Sequence, residues 1–248
     1  MTIGIIDSGL GGYSIYHALH QAYPKASFHF LADQKNAPYG NKTSEEIKAI
    51  ATKNIAWFKA NGIKEIVIAC NTMNAVALDY LKQTFPDIKF HDVVYPTVKQ
   101  LKELNLDSIL VVATRLTIQS DIYAKTIHSM FPSTEVRSVA LPELVAKIES
   151  LASQDDMVNY LNECLNQKDV QHQGLILGCT HYPLAKNAFE TVFKHTIIDS
   201  IDVMIQIFKD KQLEEGMSYC FTTKDSDFAK HQVAELFQIN EEFTKIEV

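Results

Sequence analysis

Along the chain, short runs of consecutive apolar residues alternate with longer stretches whose apolar positions recur every three or four residues. The run "IGIID" (3–7) stops at "SGLGG" and gives way to "YSIYHALHQAYP", which is apolar at helical spacing. Strand, turn and helix then repeat through "SFHFLAD" (27–33), a loop holding "APYG", a helix from about Ser44 to Asn61, "EIVIAC" (65–70) and a helix through "AVALDYLKQTF". Strands that are apolar on both faces, separated by amphipathic helices, predict a mostly parallel α/β sheet covered on both sides. Its functional edge lies at the strand carboxyl ends.

After "FHDVVYP" the pattern starts again. "SILVVAT" (108–114) precedes a helix near "SDIYAKTIHSMF", then a strand in "TEVRSVAL", a helical stretch from Pro142 to about Gln167, and the strand "GLILGC" (174–179). In each half, a strand well downstream of the first ends in cysteine, "IVIACNT" in one and "LILGCTH" in the other, which suggests an internal duplication. "TIIDS" (196–200), a helix through "VMIQIFKD", a strand in "SYCFTT" and a final helix near "SDFAKHQVAELF" follow. The expected fold is α/β: two similar three-layer domains with mostly parallel sheets and the active site in the cleft between them. One domain is expected from residues 1–95 plus 203–248, the other from 96–202.

Composition narrows the function classes. The 248 residues, 46% of them hydrophobic, suffice for a substantial core. Thirty acidic against 23 basic residues give a net charge of -7 with no basic cluster, which argues against nucleic acid or an acidic membrane surface as partner. No apolar run reaches the roughly 18 residues of a membrane span, and "MTIGIIDSG" lacks the features of a secretory leader. A cytoplasmic protein is expected, with Cys70, Cys164, Cys179 and Cys220 as free thiols.

Cys70 and Cys179 each end an apolar run and precede a polar pair, Asn71-Thr72 and Thr180-His181. Taken singly, each reads equally well as a small buried hydrophobe. As a matched pair at strand ends, beside helix starts whose amides and dipole favour thiolate, they read as chemistry. Two thiols on opposite sides of a cleft can remove a proton from one face of a carbon and return one to the other, which inverts its configuration. A single cysteine with histidine would instead suggest acyl transfer or hydrolysis.

Other positions carry two readings each. Asp7 either caps the next helix or serves as a proton-accepting partner, and the glycines after it do not have the spacing of a phosphate loop. Pro38, Tyr39 and Gly40 are either turn chemistry or a grip on a carboxylate. Thr114, Thr117 and Ser120 either cap a helix or anchor an anion at its start. His181, two residues past Cys179, has a better claim than a lone histidine to tune the thiol. The remaining histidines lack metal-ligand spacing, so no metal is expected.

"DSGLGG", "PYG", "ACNT" and "GCTHYP", in this order, resemble the glutamate racemase group of cofactor-independent amino-acid racemases; "TRLTIQSDIY", "LPELVAKIE", "IIDS" and "FTTKDSDF" echo the family further. The resemblance implies a homodimer, no pyridoxal phosphate or other cofactor, and D-glutamate supply for peptidoglycan. It implies that Cys70 acts on D-glutamate with Asp7 assisting, and Cys179 on L-glutamate with His181 assisting. Ser8, Tyr39, Gly40, Asn71, Thr72 and Thr180 would bind the amino acid, and Glu149 would support His181. Met73 and Asn74 stand where the family has smaller residues, and Ile201 where it has glycine. The alternatives are aspartate racemase, whose second motif more often reads Gly-Cys-Thr-Glu, a racemase-like binding or regulatory protein, and a Cys-His hydrolase.

Overall fold

The computed structural model describes residues 2–248. Strand β1 (Ile3–Asp7) runs into helix α1 (Tyr13–Ala22), β2 (Phe28–Ala32) into α2 (Ser44–Ala60), and β3 (Glu65–Ile68) into α3 (Asn71–Thr84). Then come β4 (Lys89–His91), α4 (Val94–Lys99) and α5 (Leu101–Leu104). The next series is β5 (Ser108–Ala113), α6 (Arg115–Ser120), α7 (Ile122–Met130), β6 (Glu135–Ala140), α8 (Leu144–Glu149), α9 (Gln154–Cys164), β7 (Gly174–Gly178), α10 (Lys186–Val192) and β8 (Thr196–Ile198). The chain finishes with α11 (Ile201–Phe208), β9 (Tyr219–Thr222), α12 (Ser226–Phe237) and β10 (Phe243–Lys245).

The ten strands among the described residues form two sheets, ordered β10-β9-β2-β1-β3-β4 and β6-β5-β7-β8, and every ladder within them is parallel. The order β2-β1-β3-β4 in the first sheet is repeated as β6-β5-β7-β8 in the second. Cys70 follows β3 and Cys179 follows β7, its positional counterpart, so the duplication read from the two cysteine motifs appears in the topology. Register brings the candidate residues to common edges: Asp7 pairs with Ala32 and Ile6 with Ile68, while Ala113 lies between Ala140 and Gly178.

β1, β3 and β7 are buried along their whole length, as parallel strands covered on both faces must be. One core lies between the first sheet and α2 and α3, around Ile47, Ile55, Phe58, Met73 and Leu81. A second, under the other face, runs from Phe28, Phe30 and Tyr16 through Val94, Val98 and Met204 to Ile109 and Ile176 of the second sheet. Each such fully buried large side chain is worth about 1.5–3 kcal/mol. The start of α2 is fixed by a reciprocal capping box, in which Thr43 Oγ1 accepts from Glu46 N–H and Glu46 accepts from Thr43 N–H.

Three local expectations are revised and one is extended. The stretch from Pro142 to Gln167 is two helices, α8 and α9, because Leu151 takes a left-handed φ of 56° that no helix continues through. The helix expected near "SDIYAKTIHSMF" is found as α7, and a separate short helix, α6, precedes it, the two parted by Asp121 at φ 61°. α3 begins at Asn71, ahead of its apolar pattern, since Cys70 caps it. The three-residue edge strand β10 had no pattern to announce it. Among the described residues, no helix is long and apolar enough to cross a membrane.

Candidate active site

The carboxyl ends of β1, β3, β5 and β7 converge on a small inner cavity of about 40 Å³. Ser8, Pro38, Tyr39, Gly40, Cys70, Asn71, Thr72, Thr114, Cys179, Thr180 and His181 all line it, together with Val145. It shares walls with a vestibule of about 340 Å³, where Glu149, Arg115, Lys224 and Phe228 also face the opening. A hollow of about 620 Å³ beside α4, α5 and α11 contains none of the candidate residues. Of the predicted set, Asp7 and Thr117 stand behind the cavity wall, each buried and each bonded to a residue that lines it.

Cys70 is placed by the end of β3 and the first turn of α3. Its Sγ accepts from Met73 N–H at 3.5 Å and donates to Ser8 Oγ at 3.6 Å. The expected bias toward thiolate is not met in the free protein. Burial, then the Asp7 carboxylate and the second thiol, push the Cys70 pKa up to about 12, outweighing the Met73 amide. Asp7 is also raised, chiefly by burial, although His181 and the Gly9 and Gly12 amides pull the other way. Asp7 does not supply the side-chain cap of α1, which starts at Gly12 without one. Its Oδ2 accepts from Gly9 N–H at 3.1 Å and its Oδ1 from Thr180 Oγ1 at 3.2 Å. The glycine loop therefore turns its amides to a carboxylate, not to a phosphate.

Cys179 follows β7, and His181 lies one turn further on. His181 is 4% exposed, yet its pKa rises to about 10. Burial lowers it, but the hydrogen bonds the ring makes to Cys179 and Glu149, and their charges, prevail. Nε2 sits 2.9 Å from Glu149 Oε1, and the Glu149 carboxyl, raised by burial, ends below its usual range through this bond and the charges of His181 and Lys224. Both shifts favour the pair as imidazolium and carboxylate, beside the second thiol.

Several bonds join one half to the other. Thr72 Oγ1 lies 3.0 Å from Thr114 Oγ1 and 3.2 Å from Thr117 Oγ1, which are themselves 2.9 Å apart. The Tyr123 hydroxyl donates to Asn71 Oδ1 at 2.5 Å. Tyr39 lines the cavity through its body, while its hydroxyl donates to Asp33 at 2.6 Å. Asp33, fully buried, also accepts from Asn36, Asn54 and Thr223, so four side chains fix the loop carrying Pro38 and Gly40. Met73 lies in the core under α2, and Asn74 Nδ2 donates to the carbonyls of Ile68 and Cys70 at 2.6 and 2.9 Å. Neither lines the cavity, so these departures from the family pattern tighten the seat of Cys70 without changing the cavity wall.

Sequence reasoning missed Tyr123, Asp33, Val145, Lys224 and Phe228. Tyr123 falls at helical spacing and reads as core, which its ring is. Lys224 and Phe228 come to the vestibule from the carboxyl-terminal segment, and no local pattern reveals that convergence.

Two parallel-sheet units facing each other at their strand ends, with a thiol from each lining one cavity, define the class: a two-unit α/β fold with its site between the sheet edges. The chain belongs to the Asp/Glu/Hydantoin racemase family, whose sequence model matches residues 3–208. It is 35% identical over 202 residues to a glutamate racemase of Prochlorococcus marinus (strain NATL1A), covering 79% of this chain and 74% of that one. It superposes on a glutamate racemase of Bacillus anthracis with TM-score 0.89 at 25% identity, covering 100% of this chain and 97% of the other. Another from Francisella tularensis, in complex with D-glutamate, gives TM-score 0.88 at 26% identity and coverages of 99% and 97%. An aspartate racemase from Picrophilus torridus shares the fold at TM-score 0.59 and 16% identity, covering 86% of this chain and 96% of that one.

Proposed function

We propose that the protein is a glutamate racemase that interconverts the L and D enantiomers by two-base proton transfer between Cys70 and Cys179, without a cofactor. The reading rests on one observation above the rest: a thiol from each half lines the same small cavity. In the D to L direction, Cys70 as thiolate takes the α-proton, and the electron pair of the broken C–H bond stays on the α-carbon as a carbanion. The Cys179 thiol then protonates the opposite face, leaving Cys179 as thiolate and Cys70 as thiol. The reverse direction exchanges the roles.

The raised pKa of Cys70 belongs to the free protein. A substrate ammonium brought beside Sγ supplies the opposite charge that favours thiolate, so binding and activation of the base are linked. Asp7 assists this side as a proton-accepting neighbour. On the other side, His181 and Glu149 hold charge next to Cys179. Ser8, Pro38, Tyr39, Gly40, Asn71, Thr72 and Thr180 form the amino-acid seat, with Thr114 and Thr117 fixing Thr72. Donors preorganised around the α-carboxylate stabilise the carbanion as charge spreads onto it. The names and structures of the relatives support glutamate as substrate. The biological role proposed is D-glutamate supply for peptidoglycan by a cytoplasmic homodimer.

The test is to incubate purified protein with L-glutamate, and separately L-aspartate, in deuterated water, following α-proton exchange by NMR and enantiomers by chiral separation. Glutamate inverts with deuterium incorporation, and Cys70→Ala and Cys179→Ala each abolish inversion. Inversion of aspartate alone reassigns the substrate, and near-normal racemisation by either variant sinks the two-base mechanism.

A further inference from the structure

We propose that Tyr123 is a positioning residue for the reaction: its hydroxyl fixes the side-chain amide of Asn71 so that Nδ2 is presented to a carboxylate of the substrate. Asn71 is 3% exposed and lines the cavity shared by the two cysteines, yet its Nδ2 has no hydrogen-bond partner among the described residues. A buried amide N–H₂ without an acceptor costs about 1–3 kcal/mol, and such a group is retained where an incoming ligand supplies the acceptor.

An asparagine amide can turn over, exchanging its donor and acceptor ends. What sets the orientation is the Tyr123 hydroxyl, which donates to Oδ1 at 2.5 Å from α7 in the opposite half of the molecule. With Oδ1 held by that proton, Nδ2 is the end left for the cavity. Tyr123 is itself 3% exposed, and burial with the charges of Cys179, Asp92 and Asp199 pushes its hydroxyl far above the usual phenol range, so it remains a donor. The ring is tied to the site as well: a β-carbon at Gly178, just before Cys179, would lie 2.9 Å from Tyr123 Cε2. The same side chain thus packs behind one cysteine motif and orients the first helical residue after the other.

The inference rests on the proposed reaction, and Tyr123→Phe isolates it. That variant keeps the ring against Gly178 and removes only the hydroxyl. The expected result is a fall of about 10-fold in kcat/KM for glutamate, most of it in KM. In an Asn71→Ala background the same substitution should change nothing further, because the amide it orients is gone. An equal fall in both backgrounds would mean that Tyr123 acts through packing on the Cys179 side, and no fall in the wild-type background would mean that the amide needs no orienting; either overturns the proposal. Glutamate affinity by calorimetry, run through the same four proteins, reads the coupling even if Asn71→Ala turns over too slowly. Failure of the parent reading is separately visible, since the unmodified protein would then neither bind nor invert glutamate.

Discussion

Replacing Gly11 by alanine tests how tightly the glycine loop holds the second thiol's partners. A β-carbon there would stand 2.4 Å from His181 Nδ1, 2.5 Å from Thr180 Oγ1 and 2.7 Å from His181 Cε1. Ordinary van der Waals contact begins at 3.4 Å, so the imidazole or the loop must give way by about 1 Å. An imidazole displaced or turned by about 1 Å cannot keep the present geometry of its 2.9 Å contact with Glu149. Overpacking of this kind costs about 1–3 kcal/mol, and at about 2–4 °C per kcal/mol for a chain of this size the variant remains folded at 25 °C. The catalytic effect is larger, because a misplacement of about 1 Å in an active site costs on the order of 100-fold in rate. Gly9→Ala is the internal control: in the same loop, a β-carbon there meets only Glu149 Oε1 and His181 Cε1 at 3.8 Å. Neither glycine has the positive φ that an alanine would resist. Racemisation followed by circular dichroism, with thermal unfolding alongside, should show a severe loss for Gly11→Ala and near wild-type behaviour for Gly9→Ala. Wild-type turnover by Gly11→Ala, or equal damage from both, would refute the steric reasoning.

Three further outcomes follow from the titrating groups. His181 titrates near 10 when folded against 6.5 ordinarily, so the stability its imidazolium contributes is complete below 6.5 and lost as pH climbs through 10. Urea unfolding should show the wild type losing ground to His181→Gln over that window, and a constant gap contradicts the assignment. Glu65, despite burial that raises it, is held at about 2 by Lys211 and His91; its contribution is present above 4.5 and disappears as pH falls through 2. Glu65→Gln should therefore cost about 1–2 kcal/mol at pH 7, solvent around its lysine partners screening the rest, with turnover unchanged and the gap closing in acid; an undiminished gap at pH 2 sinks this. Alkylation of Cys70 in substrate-free protein, read by peptide mass spectrometry, should keep accelerating above pH 9, and a plateau below that pH would place the thiol lower than burial and Asp7 dictate.

Apart from the short edge strands β4 and β10, the parallel strands were legible as short apolar runs, and those runs delivered Asp7, Cys70 and Cys179 to strand ends. What the pattern could not carry were features decided by one residue's backbone or by tertiary approach. Leu151 adopts a left-handed conformation that parts α8 from α9, although nothing in its side chain demands it. The thiol of Cys70 illustrates a competition of terms. Cys70 stands at a strand end beside a helix start, as sequence placed it, but the desolvation that reverses the effect of the amide there depends on how deeply the two halves bury the site. The Asp33 network was hidden for a related reason, since its partners come from as far as Thr223.

The bonds that cross the molecule bear on how the two thiols work together. Asp7, the partner proposed for Cys70, takes a hydrogen bond from Thr180, which adjoins Cys179. Asn71, which adjoins Cys70, is held by Tyr123, and Thr72 by Thr114 and Thr117. Gly40 completes the set, since a β-carbon there would press on Thr114 at 3.3 Å. Each cysteine's surroundings are therefore built partly by the opposite half, and any displacement of one half against the other alters both thiols at once. A two-base inversion needs that dependence: the base on one face and the acid on the other must be poised in the same instant, and a closure that brought only one into position would exchange the α-proton without inverting the carbon.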